Sequence, residues 1–294
     1  MSDKNNDQEL EKTTDATADE ATSETETNDT IESVPADSVQ FSVTFDDVDD
    51  EGTVDDGIYS EINSMVKEKD ALTGVISAYG YVNGNAVYAF SQDKSLNSGA
   101  VGAAQADKIA KLYELAAKTG TPIVGIHDSN GAFMDGTAAS LAAYGKMLGA
   151  SSVISGVVPQ IAVIAGTCAG TAAMLACSSD FVIMTKDSEF FMAPNSSSGS
   201  AEAAAKSGIA SAVCDDDKAA IEKARDLVNI LPVNNLAPVP MFEFAENSPV
   251  SGTDLKSIIN SAADADSEIE ISAEFGNASY TCLLYTSPSP RDTR

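Results

Sequence analysis

Two glycine-containing segments carry the residue pattern in this chain that is best suited to catalysis. Residues 166–170 (Gly-Thr-Cys-Ala-Gly) follow an apolar run and precede a small-residue segment typical of a helix, and residues 128–132 (Asp-Ser-Asn-Gly-Ala) follow another apolar run. Each pattern predicts a strand that ends in a turn, where backbone N–H groups lack partners and point toward a ligand. Two such turns could stabilise one developing oxyanion with backbone donors alone.

Side chains suited to acid–base work are few. The sequence has a single histidine, His127, and residues 166–170 also fit a nucleophile elbow with Cys168 in the serine position. A thiol hydrolase would depend on His127 as its base, and a packing role for Cys168 is the favoured interpretation. His127, Asp128 and Ser129 have the residue types of a triad, but neighbours on a strand point to opposite faces. We expect a structural His127 and an Asp128 that anchors its turn.

No metal site is predicted. The four cysteines show neither metal-ligand nor disulfide spacing, which favours reduced thiols. The acidic residues 46–56 lack the spacing and the closing glutamate of a calcium-binding loop, so a solvated run of charges is the favoured interpretation.

Negative charge is concentrated at the N-terminus. The 294 residues carry a net charge of -28, and residues 1–57 hold 19 acidic side chains against two lysines. This segment is predicted to be a disordered acidic tail, either a solubilising segment or a docking arm for a basic partner. The remaining residues, with 26 acidic and 15 basic side chains, are only moderately acidic, which argues against nucleic-acid binding. No apolar run predicts a membrane span or a signal peptide, so a cytoplasmic location is expected.

Strand and helix patterns alternate through the middle of the chain, which is typical of an α/β fold with parallel strands. Residues 74–82 and 86–90 alternate like strands around Asn83-Gly84, a type I′ hairpin signal. Residues 195–201 predict a loop and residues 232–252 an extended linker. Further strands are predicted at 122–127, 159–165, 180–185 and 268–271, and helices at 102–118, 137–150, 170–178, 202–211, 254–262 and, capped by aspartates, 217–230.

Four segments follow from these patterns. We predict the acidic tail over residues 1–57, a main domain over 58–245 and the start of a second domain over 246–281. Residues 282–294 (Cys-Leu-Leu-Tyr-Thr-Ser-Pro-Ser-Pro-Arg-Asp-Thr-Arg) resemble one reading frame of a common sequencing-library adapter and are set aside as a non-native tail. On that interpretation the natural chain is cut near Thr281.

Several ordered segments resemble the carboxyltransferase subunits of biotin-dependent acyl-CoA carboxylases and decarboxylases. The resemblance covers roughly residues 72–281, and it is specific because the segments occur in the right order and at the right separations. The segments are residues 87–93, 125–132, 155–161, 166–170, 180–184 and 231–235.

The resemblance implies a crotonase-like α/β fold, a ClpP-like spiral of β-β-α units, in two halves. The N-terminal half binds the coenzyme A thioester, the C-terminal half receives carboxybiotin from a carrier protein, and the active site forms where halves of neighbouring subunits meet. The full-length protein would therefore be a homo-oligomer, and in the decarboxylases it would have a membrane-bound partner subunit. Residues 254–281 resemble only the entry to the second half.

The chemistry of that family fits the shortage of acid–base side chains. Carboxybiotin releases carbon dioxide, the biotin anion takes the α-proton of the thioester, and the enolate attacks the carbon dioxide, so no protein base is needed. Backbone donors stabilise the enolate oxygen. By the resemblance, the catalytic N–H groups belong to Gly131, Ala132, Gly170 and Thr171, and the substrate-binding residues are Asn130, Phe133, Cys168 and Ala169.

The chain departs from the family pattern at the first turn. Asn130-Gly131 stands where the family usually has two glycines, Phe133 where it usually has arginine, and residues 135–137 (Asp-Gly-Thr) replace Gln-Glu-Gly. Loss of the arginine removes a positive charge beside the substrate site, which indicates a divergent subfamily.

The sequence thus predicts the acyl-CoA-binding half of a biotin-dependent carboxyltransferase, inactive as a fragment. One alternative is a non-catalytic subunit of a carboxylase complex, which Phe133 and the acidic tail favour. Another is a stand-alone crotonase-type hydratase or thioesterase, against which residues 158–160 and 231–235 argue. The missing half is expected to leave an apolar face exposed, with poor solubility or non-native association.

Overall fold

A mixed β-sheet forms the framework of the molecule. The structure, a computed structural model, describes residues 60–61, 67–68, 71–134, 137–193, 199–238, 240–243, 255–264, 266–276 and 282–284. The predicted acidic tail lies outside these residues, as do most of the predicted loop at 195–201 and part of the predicted linker at 232–252.

The described elements alternate between strands and helices, as predicted. The strands are β1 (Ser60–Glu61), β2 (Lys67–Glu68), β3 (Ala71–Leu72), β4 (Val75–Val82), β5 (Asn85–Gln92), β6 (Ile123–Ser129), β7 (Gln160–Ala169), β8 (Phe181–Thr185), β9 (Glu189–Phe191), β10 (Ala212–Cys214), β11 (Glu268–Glu270) and β12 (Cys282–Leu284). The helices are α1 (Ala103–Thr119), α2 (Thr137–Ile154), α3 (Thr171–Cys177), α4 (Ala201–Lys206), α5 (Asp217–Ile230) and α6 (Leu255–Ala262).

The main sheet has the strand order β1-β4-β5-β6-β7-β8-β10, and β9 pairs with the far end of β7. β1, β4 and β5 run antiparallel, whereas the pairs from β5 to β10 are parallel. Parallel neighbours need crossover connections, which α1, α2 and α3 provide between successive strands. This arrangement confirms the predicted α/β fold with a mostly parallel sheet.

Local signals position the ends of several elements. Asn83 and Gly84 have φ of 46° and 80°, as a type I′ hairpin requires. Gly120 ends α1 in the left-handed conformation with φ of 65°. Asp216 caps α5, because its side chain accepts a hydrogen bond from Ala219 N at 2.8 Å. The predictions of the hairpin turn and of the aspartate cap are confirmed.

Helices cover both faces of the sheet. On one face α1 and α2 pack against β4–β6 around Phe90, Ile109 and Met147, and α3 and α4 extend this layer over β7 and β8. On the opposite face α5 packs against Ile126 and other apolar strand side chains. Because both faces are covered, the first half of β7 is buried throughout.

Four predicted boundaries are wrong, three of them because tertiary contacts override the local pattern. β6 continues to Ser129 and β7 to Ala169, so residues 166–169 are strand and only Gly170 turns into α3. Pairing of β7 with both β6 and β9 keeps this stretch extended. α2 continues to Ile154, whose side chain is buried in the core. The helix predicted at 202–211 ends at Lys206, since Gly208 has φ of 78°.

A second, two-stranded sheet pairs β11 with β12. Three of the residues set aside as a non-native tail therefore form a strand, because antiparallel pairing needs only backbone donors and acceptors. The predicted origin of residues 282–294, and the predicted domain boundaries at 57, 245 and 281, stay predictions.

Candidate functional site

The two predicted turns lie side by side at one edge of the sheet. They follow β6 and β7, which are parallel neighbours, and ligands bind beyond the carboxyl ends of such strands. A Cβ built on Gly131 would lie 2.9 Å from the carbonyl oxygen of Ala169 and 3.6 Å from Thr171 Oγ1. Gly131 also has φ of 98°, which glycine adopts without strain. Only glycine therefore lets the two turns approach this closely.

Three backbone hydrogen bonds join the first turn to the segment that follows β5. Asn130 N donates to Ser98 O at 3.2 Å. Val101 N donates to Gly131 O at 2.9 Å, and Phe133 N donates to Val101 O at 3.0 Å. The N–H groups of Asn130 and Phe133 are thus engaged, and the turn is held along its length.

A short left-handed turn makes this contact possible. Asn97, Ser98 and Gly99 have φ of 52°, 54° and 67°, and the left-handed conformation costs free energy for residues other than glycine. Gly99 lies against the end of β6, because a Cβ there would be 2.0 Å from Asp128 O. The chain accepts this strain beside the candidate site.

Two of the four predicted catalytic N–H groups already have acceptors. Gly131 N donates to Ser129 Oγ at 3.1 Å. Gly170 N donates to Phe191 O at 2.8 Å. Both N–H groups therefore hold the shape of their turns.

The other two predicted N–H groups are open. Ala132 N and Thr171 N donate to no acceptor among the residues that the structure describes. They belong to the two segments that the Gly131 contact joins, one to each. Open backbone N–H groups of this kind can donate to a ligand oxygen that carries negative charge.

Asp128 ties the ends of β6 and β7 together, which matches the anchoring role expected for it. Its Oδ1 accepts a hydrogen bond from Thr167 N at 2.9 Å and lies 3.3 Å from Lys94 Nζ. Lys94 Nζ also donates to Thr167 Oγ1 at 3.1 Å. A Cβ on Gly166 would lie 2.5 Å from the carboxylate, so glycine at this position makes room for Asp128.

His127 and Cys168 belong to the core. The His127 ring is 2% exposed and lies edge-on to Phe90, with centroids 5.3 Å apart. Burial lowers the pKa of His127 to about 4 and raises the pKa of the Cys168 thiol far above its ordinary value. A buried neutral thiol is a poor nucleophile, which argues against the thiol hydrolase.

The predicted substrate-binding side chains differ in how they are placed. Asn130 is exposed and Phe133 is half-buried. Cys168 is fully buried among apolar side chains, and Ala169 is buried with its carbonyl oxygen against Gly131. Asn130 and Phe133 are therefore the members of this set whose side chains reach the surface.

Sequence reasoning missed a group of hydroxyls behind the first turn. Tyr144 on α2 is 2% exposed, and burial raises its pKa to about 12 while the neighbouring Thr171 and Ser129 hydroxyls act to lower it. Tyr144 Oη and Thr171 Oγ1 are buried without a hydrogen-bond partner in the described part of the chain. Helical periodicity could place Tyr144 on a buried face, but nothing local brings it to the turns.

Two kinds of feature are not found in the described residues. No group of three or more His, Cys, Asp or Glu side chains is arranged to hold a metal ion there. None of the described helices has the length and apolar character that crossing a bilayer requires.

The comparisons with known proteins agree with this geometry. A model of the carboxyl transferase domain family matches residues 48–281. The propionyl-CoA carboxylase beta chain of Roseobacter denitrificans is 32% identical over 241 residues, which are 72% of this chain and 47% of that protein. The methylmalonyl-CoA decarboxylase subunit alpha of Propionigenium modestum is 34% identical over 213 residues, 64% of this chain and 41% of that protein. The chain spans about half the length of these curated relatives.

Solved structures show the same fold. The transcarboxylase 12S crystal structure, a hexamer with methylmalonyl-coenzyme A bound, matches with a TM-score of 0.72 at 30% identity over 78% of this chain and 52% of that one. The beta subunit of geranyl-CoA carboxylase from P. aeruginosa, at 21% identity and a TM-score of 0.57 over 78% of this chain and 49% of that one, resembles it in fold alone. The predicted crotonase-like fold is confirmed, and the chain belongs to the carboxyl transferase domain family, as its motifs predicted.

Proposed function

We propose that this chain is the acyl-CoA-binding half of a biotin-dependent carboxyltransferase, which moves a carboxyl group between carboxybiotin and a short-chain acyl-CoA. The open donors Ala132 N and Thr171 N, on two turns in contact, carry the proposal. The names of the relatives, a propionyl-CoA carboxylase and a methylmalonyl-CoA decarboxylase, support a thioester with a short acyl group.

An acyl thioester suits this pair of donors. Removal of the α-proton moves negative charge onto the thioester oxygen, and preorganised N–H groups stabilise that charge more in the transition state than in the ground state. Each such donor lowers the barrier by about 3 kcal/mol. His127 and Asp128 are poorly placed to take the α-proton themselves, because His127 is buried in its neutral form and Asp128 is bonded to Thr167.

Biotin, when bound on its carrier protein, supplies the carboxyl group and accepts the α-proton. Within the described residues, the turns present one pair of open N–H groups, which suits the one oxygen of the thioester. We assign the donors for the biotin ureido oxygen to the second half of the protein, which residues 246–281 begin. The role of this chain is to bind the acyl-CoA and to hold the enolate oxygen.

An exposed apolar surface supports the proposal that a second half covers this chain. Leu141 and Val153 on α2 are 58% and 70% exposed, and Met174 on α3 is 49% exposed. Large apolar side chains exposed on the neighbouring helices α2 and α3 are of the kind that a partner surface covers. By itself the chain is expected to be inactive and to self-associate, and light scattering on the 294-residue chain measures this.

Calorimetric titration of the 294-residue chain with acetyl-, propionyl- and glutaryl-CoA, with free coenzyme A as the reference, tests the proposal. Binding of an acyl-CoA more tightly than coenzyme A supports it. Gly170→Val should abolish the difference, because Gly170 has φ of 57° and ψ of -118°, a conformation suited to glycine. No binding to folded chain would contradict the proposal.

The second candidate is a non-catalytic subunit of a carboxylase complex. Phe133 favours it, because an apolar side chain stands where the family usually places a cation. Acyl-CoA binding without carboxyl transfer in the full-length protein would favour this candidate over the enzyme.

A further inference from the structure

We propose that three buried hydroxyl groups position the first turn for binding of the thioester oxygen. They belong to Ser129 at the end of β6, Tyr144 on α2 and Thr171 at the start of α3. The inference rests on the proposed function and extends it to Tyr144, a residue outside both turns.

Two of the three hydroxyls lie beside Gly131, the residue that precedes the open donor of Ala132. Ser129 Oγ accepts the hydrogen bond from Gly131 N at 3.1 Å. Thr171 Oγ1 lies 3.6 Å from the position of a Cβ on Gly131. The Ser129 and Thr171 hydroxyls lie near enough to Tyr144 Oη to act on its pKa, and Tyr144 Oη makes no hydrogen bond to either of them.

Two of the three hydroxyls are buried with bonds unmade. Tyr144 Oη and Thr171 Oγ1 have no hydrogen-bond partner among the described residues, although Tyr144 is 2% exposed. Buried polar groups in native proteins are nearly always bonded, and an unbonded one destabilises the fold. Such an exception beside a candidate site indicates a bond that forms in another state of the protein.

Acyl-CoA binding provides that state. A thioester oxygen that accepts from both Ala132 N and Thr171 N orders the two turns, and Tyr144 Oη then donates to Thr171 Oγ1 or Ser129 Oγ. Hydrogen bonds at catalytic sites are often long without ligand and shorten in the complex. Tyr144 is a neutral donor at any working pH because burial raises its pKa to about 12. It acts as a positioning residue, through Gly131 and Thr171.

This role predicts an unusual combination of effects. A hydroxyl that is bonded in the ligand-free protein stabilises it, so its removal lowers Tm. Removal of the Tyr144 hydroxyl should leave the Tm of the ligand-free chain unchanged or higher, and yet it should weaken the polarisation of a bound thioester. If the Tyr144 hydroxyl were only structural, its removal would lower the Tm and leave the polarisation of a bound thioester unchanged.

Isotope-edited infrared spectroscopy of [1-¹³C]propionyl-CoA bound to the 294-residue chain measures that polarisation without turnover. In the wild-type chain the carbonyl stretch should move to lower frequency, as expected for an oxygen that accepts two N–H groups. Tyr144→Phe and Thr171→Val should each lose about half of this shift, whereas Thr171→Ser, which keeps a hydroxyl, should retain it.

Tyr113→Phe is the matched control. Tyr113 is a buried tyrosine on α1, and the nearby Ser151 side chain hydrogen-bonds to Gln160 at the start of β7, away from both turns. Its variant also removes a buried tyrosine hydroxyl, and it should keep the full carbonyl shift.

The outcomes separate the inference from the proposed function. If the wild-type chain shifts the carbonyl stretch and Tyr144→Phe shifts it equally, the positioning role is wrong and the proposed function stands. If Tyr144→Phe lowers the Tm of the ligand-free chain and keeps the full carbonyl shift, Tyr144 is structural. If the wild-type chain neither binds nor polarises the thioester, the proposed function fails and the inference fails with it.

Discussion

The carbonyl oxygen of Ala169 lies 2.9 Å from the position of a Cβ on Gly131. This contact joins the turn after β6 to the end of β7, and each of these two segments carries one of the open N–H groups, Ala132 N and Thr171 N. The distance is shorter than any side chain at position 131 permits. The contact is therefore the most sensitive point of the candidate site.

Gly131→Ala should destabilise the fold and weaken acyl-CoA binding together. Overpacking against Ala169 and the positive φ should cost about 3 kcal/mol of unfolding free energy, and acyl-CoA affinity should fall by about tenfold or more because the donors separate. Denaturant titration and calorimetry measure the two effects. Gly84→Ala is the matched control, because Gly84 has φ of 80° and no atom within 4 Å of a built Cβ. It should cost about 1 kcal/mol and leave binding unchanged; equal effects of the two variants would refute the steric argument.

Substitutions of Asp128 should separate its hydrogen bond from its charge. Asp128→Ala removes the acceptor of Thr167 N and should cost about 1–3 kcal/mol of unfolding free energy, with weaker acyl-CoA binding. Asp128→Asn keeps an oxygen acceptor and should lose only the ion pair with Lys94, whose side chain is 49% exposed. Lys94→Met should likewise cost under about 1 kcal/mol, since exposed ion pairs contribute little. A loss in the asparagine variant as large as in the alanine variant would show that charge, not the hydrogen bond, matters.

The stability of the protein should fall between pH 6.5 and pH 4 because of His127. Burial lowers its folded-state pKa to about 4, whereas an unfolded histidine titrates near 6.5, so below that pH the unfolded state binds a proton that the folded state does not. The stabilisation is complete above pH 6.5 and is lost as pH falls, with about 2 kcal/mol gone at pH 5.

His127→Asn isolates this effect, because the sequence has only one histidine. Denaturant titrations at pH 7.5 and pH 5 should show a smaller loss of unfolding free energy in the variant than in the wild type. Carboxylates titrate in both proteins and cancel in the difference. An equal loss in the two proteins would mean that His127 is not held neutral.

Alkylation should discriminate sharply between two cysteines of the folded chain. Cys177 is exposed, whereas Cys168 is fully buried and burial raises the pKa of its thiol. Iodoacetamide at pH 7.5 should modify Cys177 and leave Cys168 unmodified until the chain unfolds, as peptide mass spectrometry can follow. Cys168→Ala should keep acyl-CoA binding, because the Cys168 side chain is packed in the core and does not reach the surface where the resemblance implies a substrate contact. Rapid modification of Cys168 in the folded chain would support the thiol hydrolase as the function.

Elements bounded by strong local signals were predictable to within a residue or two. α1 is such a case: its apolar face has helical periodicity and Gly120 provides the left-handed C-cap. The β4–β5 hairpin is another, because Asn83-Gly84 selects its turn. In both, the forces that define the element act between residues that are close in the sequence.

The end of β7 was not predictable in the same way. Residues 166–169 contain the small residues of a turn, but pairing with Ser129 on one side and β9 on the other keeps them extended. The partners come from distant segments, and no local pattern reports them. Tyr144 was missed for the same reason, since α2 brings it to Ser129 and Thr171 only after the layers pack.

The candidate site likewise depends partly on local signals and partly on tertiary contacts. Residue types and spacing specify two turns, the family and the kind of chemistry, because glycine conformation and strand patterns act locally. Contacts between segments that are far apart in the sequence decide which N–H groups remain open. Ser98 and Val101 engage the neighbours of Ala132, and Phe191 engages Gly170, so the donors left for a ligand are those that the folded backbone itself does not bond.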